Sequence, residues 1–173
     1  MVQPFLLLIK MRVVFLDYDG VVNNVVWDAE GKRADYGSAS SKKVNDFQAV
    51  QWVSEFCEKF GYDIVVSSTW RLWEWYKEAL VNGGLRDSVN IVGCTPVLYK
   101  HSRGDEIAQY IKEHPEIEEY IIIDDENDFK NYPDMLERFV QCTTNQGFNY
   151  EEFYKAKEIH EKFNINKRNT EFV

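Results

Sequence analysis

The chain has 173 residues, 45% hydrophobic and 15% aromatic, with a net charge of −9 and a pI near 4.9. That is enough apolar material for one globular domain with a real core, and it excludes a disordered chain. The acidic balance argues against broad, unspecific attraction to nucleic acid or anionic membrane, although a local basic groove is compatible with it. Three cysteines, Cys57, Cys94 and Cys142, have no metal-binding spacing and read as buried free thiols in a reducing, cytoplasmic compartment. No stretch is long enough to span a membrane.

In chain order, Phe5–Ile9 is apolar but too short and poorly flanked for a signal peptide. Residues 1–10 read either as an upstream leader or as apolar packing beside the sheet. Val13-Val14-Phe15-Leu16 then runs directly into Asp17-Tyr18-Asp19-Gly20. A short continuous apolar run reads as a buried parallel strand, which delivers Asp17 and Asp19 to its carboxyl end, where Gly20 lets the backbone turn away. Two carboxylates this close repel each other. They are tolerable together if a hard divalent cation sits between them or if one carries a proton.

Residues 24–42 read as a flap and loop, with Ser40 or Ser41 available to cap the next helix. That helix carries Ala49, Trp52, Val53, Phe56, Cys57 and Phe60 on one face and ends at Gly61. Ile64-Val65-Val66 is a second buried strand, ending in Ser67-Ser68-Thr69-Trp70-Arg71. An amphipathic element over Leu72–Leu80 stops at Asn82-Gly83-Gly84. Val89–Val92 is a weaker third strand. Arg103-Gly104-Asp105-Glu106 opens a helix that stops near Pro115. Tyr120–Ile123 is a fourth strand, ending in Asp124-Asp125, and Arg138–Gln141 a fifth. A last helix runs from about Tyr150 to Phe163, and residues 164–173 read as a frayed tail. Alternating strands and helices predict a single α/β domain over 1–173: a five-stranded, mainly parallel sheet with helices on both faces.

Three strands thus end in polar clusters: Asp17/Asp19, Ser67/Ser68/Thr69 and Asp124/Asp125. A parallel sheet brings such ends to one edge. Phosphoryl transfer fits these residue types. One carboxylate attacks phosphorus, a second moves protons, hydroxyl and N–H groups hold phosphate oxygens, a basic side chain neutralises them, and further carboxylates hold Mg²⁺.

On these residues the chain resembles the haloacid dehalogenase (HAD) superfamily. Asp17-Tyr18-Asp19-Gly20-Val21 resembles its motif I, Ile64-Val65-Val66-Ser67 its motif II, and Ile121-Ile122-Ile123-Asp124-Asp125 its motif IV. The resemblance runs from about Arg12 to Phe163. It implies a three-layer Rossmann-like core, with Asp17 as nucleophile and metal ligand and Asp19 as general acid/base whose backbone carbonyl also meets the metal. It further implies Ser67 as phosphoryl ligand, Asp124 and Asp125 completing the Mg²⁺ site, and Asp128 as an outer-shell residue. The motif III cation is Arg103 or Lys100 by spacing, with Arg103 favoured.

Ser67–Arg71 and Arg103–Ile107 are similar to a capless HAD group associated with RNA-repair modules. That similarity makes Arg71 and Ser68 candidate phosphate contacts. Trp70, Trp73 and Trp75 read as packing more readily than as a stacking platform, and His101 as a solvated loop residue. Neither insertion point leaves room for a folded cap, so the expected substrate is bulky: a phosphoprotein or phosphotyrosine, or a polynucleotide end. The last would be met through a local basic rim of Lys32/Arg33, Lys42/Lys43 and Lys100/Arg103. A small-metabolite phosphatase, or a HAD-fold binding module with vestigial activity, are the alternatives. Dehalogenation is disfavoured, because it would leave the paired metal-binding aspartates without a purpose.

Overall fold

The computed structural model describes residues 10–24 and 46–170, with side chains to residue 165. The expected leader, most of the flap, its possible Ser40/Ser41 cap and the Lys32/Arg33 and Lys42/Lys43 clusters lie outside the described residues. Five strands form one sheet: β1 (Met11–Leu16), β2 (Asp63–Val66), β3 (Ile91–Cys94), β4 (Ile117–Asp124) and β5 (Phe139–Gln141). Their order is β3-β2-β1-β4-β5 and every neighbouring pair is parallel. The helices are α1 (Phe47–Phe60), α2 (Tyr76–Asn82), α3 (Arg103–Glu113), α4 (Pro133–Leu136) and α5 (Tyr150–Thr170), with a 3₁₀ turn at Thr69–Leu72.

The central strand is buried on both faces, which is why it is apolar without alternation. Val14 and Leu16 point into one core layer with Val50, Val53 and Phe56 of α1 and Phe153 of α5. Val13 and Phe15 point into the other, with Ile107 and Tyr110 of α3 and Met135 of α4. Leu16 is in register with Val66 on one side and Ile123 on the other. The ladder continues one residue beyond: Ser67 N–H donates to the Leu16 carbonyl at 2.8 Å, and Asp17 N–H to the Ile123 carbonyl at 3.0 Å. Asp17, Ser67 and Asp124 therefore stand in one row at the carboxyl edge.

Several boundaries differ from the sequence expectation. Asp46 caps α1, its carboxylate accepting from Gln48 N–H at 3.0 Å, in place of Ser40 or Ser41. The amphipathic element at Leu72–Leu80 is two pieces, because Trp73 is extended (φ −102°, ψ 137°) and separates the 3₁₀ turn from α2. Leu72 is consequently exposed. The third strand is displaced to Ile91–Cys94, where Gly93 leaves room for the Tyr110 hydroxyl. The backbone of α5 continues to Thr170 through the expected tail. Between β2 and α3 the chain forms only the 3₁₀ turn, α2 and β3, so no domain is inserted there. Cys57 and Cys142 are buried and Cys94 is half-buried, all as free thiols. No described helix is long and apolar enough to cross a membrane.

At the amino end of the sheet a buried polar cluster joins β1, Tyr62 just before β2, β4 and α5. The Tyr62 hydroxyl donates to Glu119, His160 Nδ1 lies 2.9 Å from the same oxygen, and Arg12 Nε lies 3.0 Å from the other. At the opposite end α3 begins with a reciprocal cap. Ser102 Oγ accepts from Asp105 N–H at 3.2 Å, and Asp105 Oδ2 accepts from Ser102 N–H at 2.8 Å. This cap fixes where α3 starts, and Arg103 is its first residue. Ser102→Ala is expected to cost about 1 kcal/mol and lower the melting temperature by roughly 3 °C. An unchanged thermal melt would show that the cap does not hold the start of α3.

Candidate active site

The site is built on the row of strand ends. Asp17 follows β1 and is 5% exposed; Asp124 closes β4 and is 1% exposed. Arg103 reaches both from the start of α3. Its Nη1 donates to Asp17 Oδ1 at 2.8 Å, lies 3.1 Å from Asp124 Oδ2, and also donates to the Ser67 carbonyl. Burial works against charge on this guanidinium, but Asp17 and Asp124 outweigh it and hold it firmly protonated. The Asp17 carboxyl is pushed up to about 6, chiefly by burial, against the pull of Arg103 and a hydrogen bond from the Ser68 side chain. Asp124 is pushed up to about 8 by burial and then by Asp17 beside it.

One oxygen each of Asp17, Asp124 and Asp125 lie within 4.8 Å of one another, a grouping that could hold a metal ion. Asp125 is the outermost of the three. Its Oδ2 accepts from Thr144 Oγ1 at 2.7 Å, and its backbone carbonyl from Gln141 Nε2 at 3.1 Å. Gly20 makes its approach possible: with φ +73°, a Cβ at this position would fall on the Asp125 carboxylate. Asp124 Oδ1 accepts from Glu126 N–H at 3.0 Å, whereas the buried Oδ2, although close to Arg103, makes no hydrogen bond. A buried carboxylate oxygen without a hydrogen-bond donor, beside two further carboxylates, suits a hard, oxygen-seeking cation such as Mg²⁺.

The other expected residues fall into distinct places. Ser67 Oγ is buried and has no hydrogen-bond partner. Ser68 is turned to Asp17 and also accepts from Trp70 N–H at 3.3 Å, so its hydroxyl supports the carboxylate. The Asp19 carboxylate is outside the three-carboxylate group. It accepts from Trp70 Nε1 at 2.9 Å and from Asn23 Nδ2 at 3.3 Å.

Lys100 is not at the carboxylates. It is exposed, in a left-handed turn (φ 63°), with Nζ over the Tyr99 ring. The Arg71 side chain is largely buried, paired with Glu106 at 2.7 Å and donating to the carbonyls of Ser68 and Pro96, and it also lines a cleft beside Arg103. This cleft, of about 240 Å³, opens between Thr69, Leu72 and Val97; His101 and the exposed Asp128 lie on its lining. Trp73 and Trp75 stack on each other, centroids 5.3 Å apart.

Sequence reasoning did not anticipate the Asp19 partners Trp70 and Asn23, or Thr144 and Gln141 at Asp125. Trp70 stood in the Ser67–Arg71 motif, but its link to Asp19 joins the segments that follow two different strands and leaves no local pattern.

A family model described as the HAD domain in Swiss Army Knife RNA repair proteins matches residues 13–153. No curated protein and no solved structure matches the chain. The matched span takes in β1 through the start of α5, and with it Asp17, Ser67, Arg103, Asp124 and Asp125. The five-stranded parallel core and the family match over residues 13–153 lead to one conclusion: the chain belongs to a hydrolase family, the HAD domains of Swiss Army Knife RNA repair proteins.

Proposed function

We propose that the protein is a Mg²⁺-dependent phosphomonoester hydrolase working through an aspartyl-phosphate on Asp17. The observation that carries this reading is the cluster of Asp17, Asp124 and Asp125, held by Arg103 at the end of a parallel sheet. In its ionised form Asp17 attacks phosphorus, forming an O–P bond as the ester O–P bond breaks. Asp19 gives a proton to the departing oxygen and then takes one from the water that hydrolyses the acyl phosphate. The unbonded Ser67 hydroxyl is available to a phosphoryl oxygen, and the Arg103 guanidinium offsets the negative charge gathered there. Asp17, Asp124 and Asp125, with the Asp19 carbonyl, would hold the metal, which when bound supplies Lewis-acid charge for the phosphoryl oxygens.

With no domain inserted between β2 and α3, that side of the carboxyl edge suits a bulky substrate, and the family's link to RNA repair proteins favours a polynucleotide end over a phosphoprotein. Arg103 faces the carboxylates and the phosphoryl group, so a basic rim for the rest of such a substrate draws on other residues, Lys100 among them. With Mg²⁺ present, p-nitrophenyl phosphate should be hydrolysed, and Asp17→Asn should reduce the rate to background. Hydrolysis that survives Asp17→Asn would remove Asp17 as nucleophile. Failure on every phosphomonoester would favour a binding module with vestigial activity. Among 3′- and 5′-phosphorylated oligonucleotides, phosphotyrosine peptides and mononucleotides, the oligonucleotides should react best, with an affinity that falls as salt rises.

The raised carboxyls also give a stability signature. Between the ordinary value of 3.8 and about 6 or 8, the folded metal-free protein binds more protons at Asp17 and Asp124 than the unfolded chain does. Their contribution is therefore fullest near pH 4 and is lost as pH rises through those values. Asp124→Asn should flatten the decline between pH 6 and 8 in thermal melts without metal. Mg²⁺ should raise the wild-type melting temperature more at pH 8 than at pH 6, since the ion competes with those protons. A Mg²⁺ shift that ignores pH, or survives Asp124→Asn unchanged, would place the ion elsewhere.

A further inference from the structure

We propose that Trp70 is a positioning residue: its indole N–H aims the Asp19 carboxylate for proton transfer. This rests on the reading of Asp19 as the acid, given above, and adds a residue that acts through it. Trp70 Nε1 donates to Asp19 Oδ2 at 2.9 Å across the gap between the β2 and β1 loops. The ring is 2% exposed and confined on several sides. Tyr18 lies 5.2 Å from it, with its own hydroxyl donating to the Tyr76 carbonyl at 2.8 Å. Trp73 and Trp75 meet it edge-on at 6.0 and 5.6 Å, and stack on each other. Below it, the Ser68 side chain accepts from the Trp70 backbone N–H, and Trp73 N–H donates to the Trp70 carbonyl at 3.0 Å. The indole direction is thus set by packing before the bond to Asp19 is made.

The chemistry of that bond is one-sided. An indole N–H only donates, so it is best satisfied by a carboxylate oxygen that keeps its lone pairs. A protonated Oδ2 would be a poor acceptor, so the proton that Asp19 passes on is carried by Oδ1. Asn23 Nδ2 stands 3.3 Å from Oδ1, while the buried Asn23 Oδ1 has no hydrogen-bond partner. Turning that amide over would offer the proton an acceptor. The Trp70 bond therefore favours Oδ1 as the working oxygen and holds the direction in which the carboxylate faces. The same Ser68 that starts the Trp70 turn also bonds to Asp17, so one short segment orients both carboxylates of the β1 loop.

The test compares an ester that needs an acid with one that does not. p-Nitrophenolate leaves unaided, whereas an alkoxide such as that of 2-phenylethyl phosphate needs a proton. Trp70→Phe should lower kcat/KM for the alkyl ester about tenfold or more, and for the aryl ester no more than about threefold. Putting 3-benzothienylalanine at position 70 keeps the two-ring shape, exchanges N–H for sulfur, and should give the same split if Trp70→Phe folds poorly. In an Asp19→Ala background, either replacement should add less than about a twofold loss. Equal losses on both esters, or losses that multiply with Asp19→Ala, would reduce Trp70 to a packing residue. If Asp19→Ala itself leaves the ratio of the two esters unchanged, the acid role fails and this inference with it. If Asp19→Ala changes the ratio and the replacements at Trp70 do not, this inference alone fails. Without any turnover, the Trp70 indole N–H resonance should lie downfield and move upfield in Asp19→Ala; a resonance that stays in place would overturn the contact.

Discussion

Two buried carboxylates share one guanidinium, and the rest of the site is arranged around that imbalance. Asp17 and Asp124 sit at adjacent strand ends, where water is largely excluded and like charges repel strongly. Arg103 cancels one charge, and Asp125 adds another within reach. An uncompensated buried charge costs several kcal/mol, so the cluster holds protons or a cation. Burial and mutual repulsion thus favour the protonated carboxyls in a grouping whose oxygens could also hold a metal ion. The shared guanidinium also explains the reciprocal cap of α3. A guanidinium with this duty has to begin its helix at a fixed place, and Ser102 with Asp105 supplies the stop.

The strands that bear the candidate site are readable because they are continuous apolar runs. Val13–Leu16 and Ile64–Val66 are buried on both faces, so no polar residue interrupts them. A parallel sheet then brings Asp17, Ser67 and Asp124 to one edge whatever the intervening chain does. The weaker β3 was misplaced by two residues because Gly93 and Cys94 carry little strand signal, whereas Val89 carries more. The gap between the 3₁₀ turn and α2 escaped for a related reason: Leu72, Trp75 and Tyr76 keep helical spacing although Trp73 is extended.

Side-chain partners across the fold were the illegible part. Spacing admits both Lys100 and Arg103 near the start of α3. What separates them is the left-handed turn at Lys100, which sends its backbone out to solvent, against the first helical position of Arg103. Arg71 finds Glu106, and Trp70 finds Asp19, only after β1, β2 and α3 have docked. A motif such as Ser67–Arg71 therefore marks the neighbourhood of the candidate site without assigning its members. Within it one serine hydroxyl is left unbonded, the next supports Asp17, the tryptophan reaches Asp19, and the arginine pairs with Glu106 at the wall of the cleft.

The buried cluster at the amino end of the sheet has a bearing on strand slippage. Glu119 lies in the first half of β4 and Asp124 closes it, five positions apart and so on opposite faces. Glu119 is matched to Tyr62, His160 and Arg12, and Asp124 to Arg103. Sliding β4 by one residue would carry both carboxylates to the wrong side, each into an apolar layer without its cation or hydroxyl. The strand is pegged at two points by charges that tolerate only one alignment. A sheet pegged in this way presents its carboxyl-edge row in fixed order before any ion or phosphate arrives.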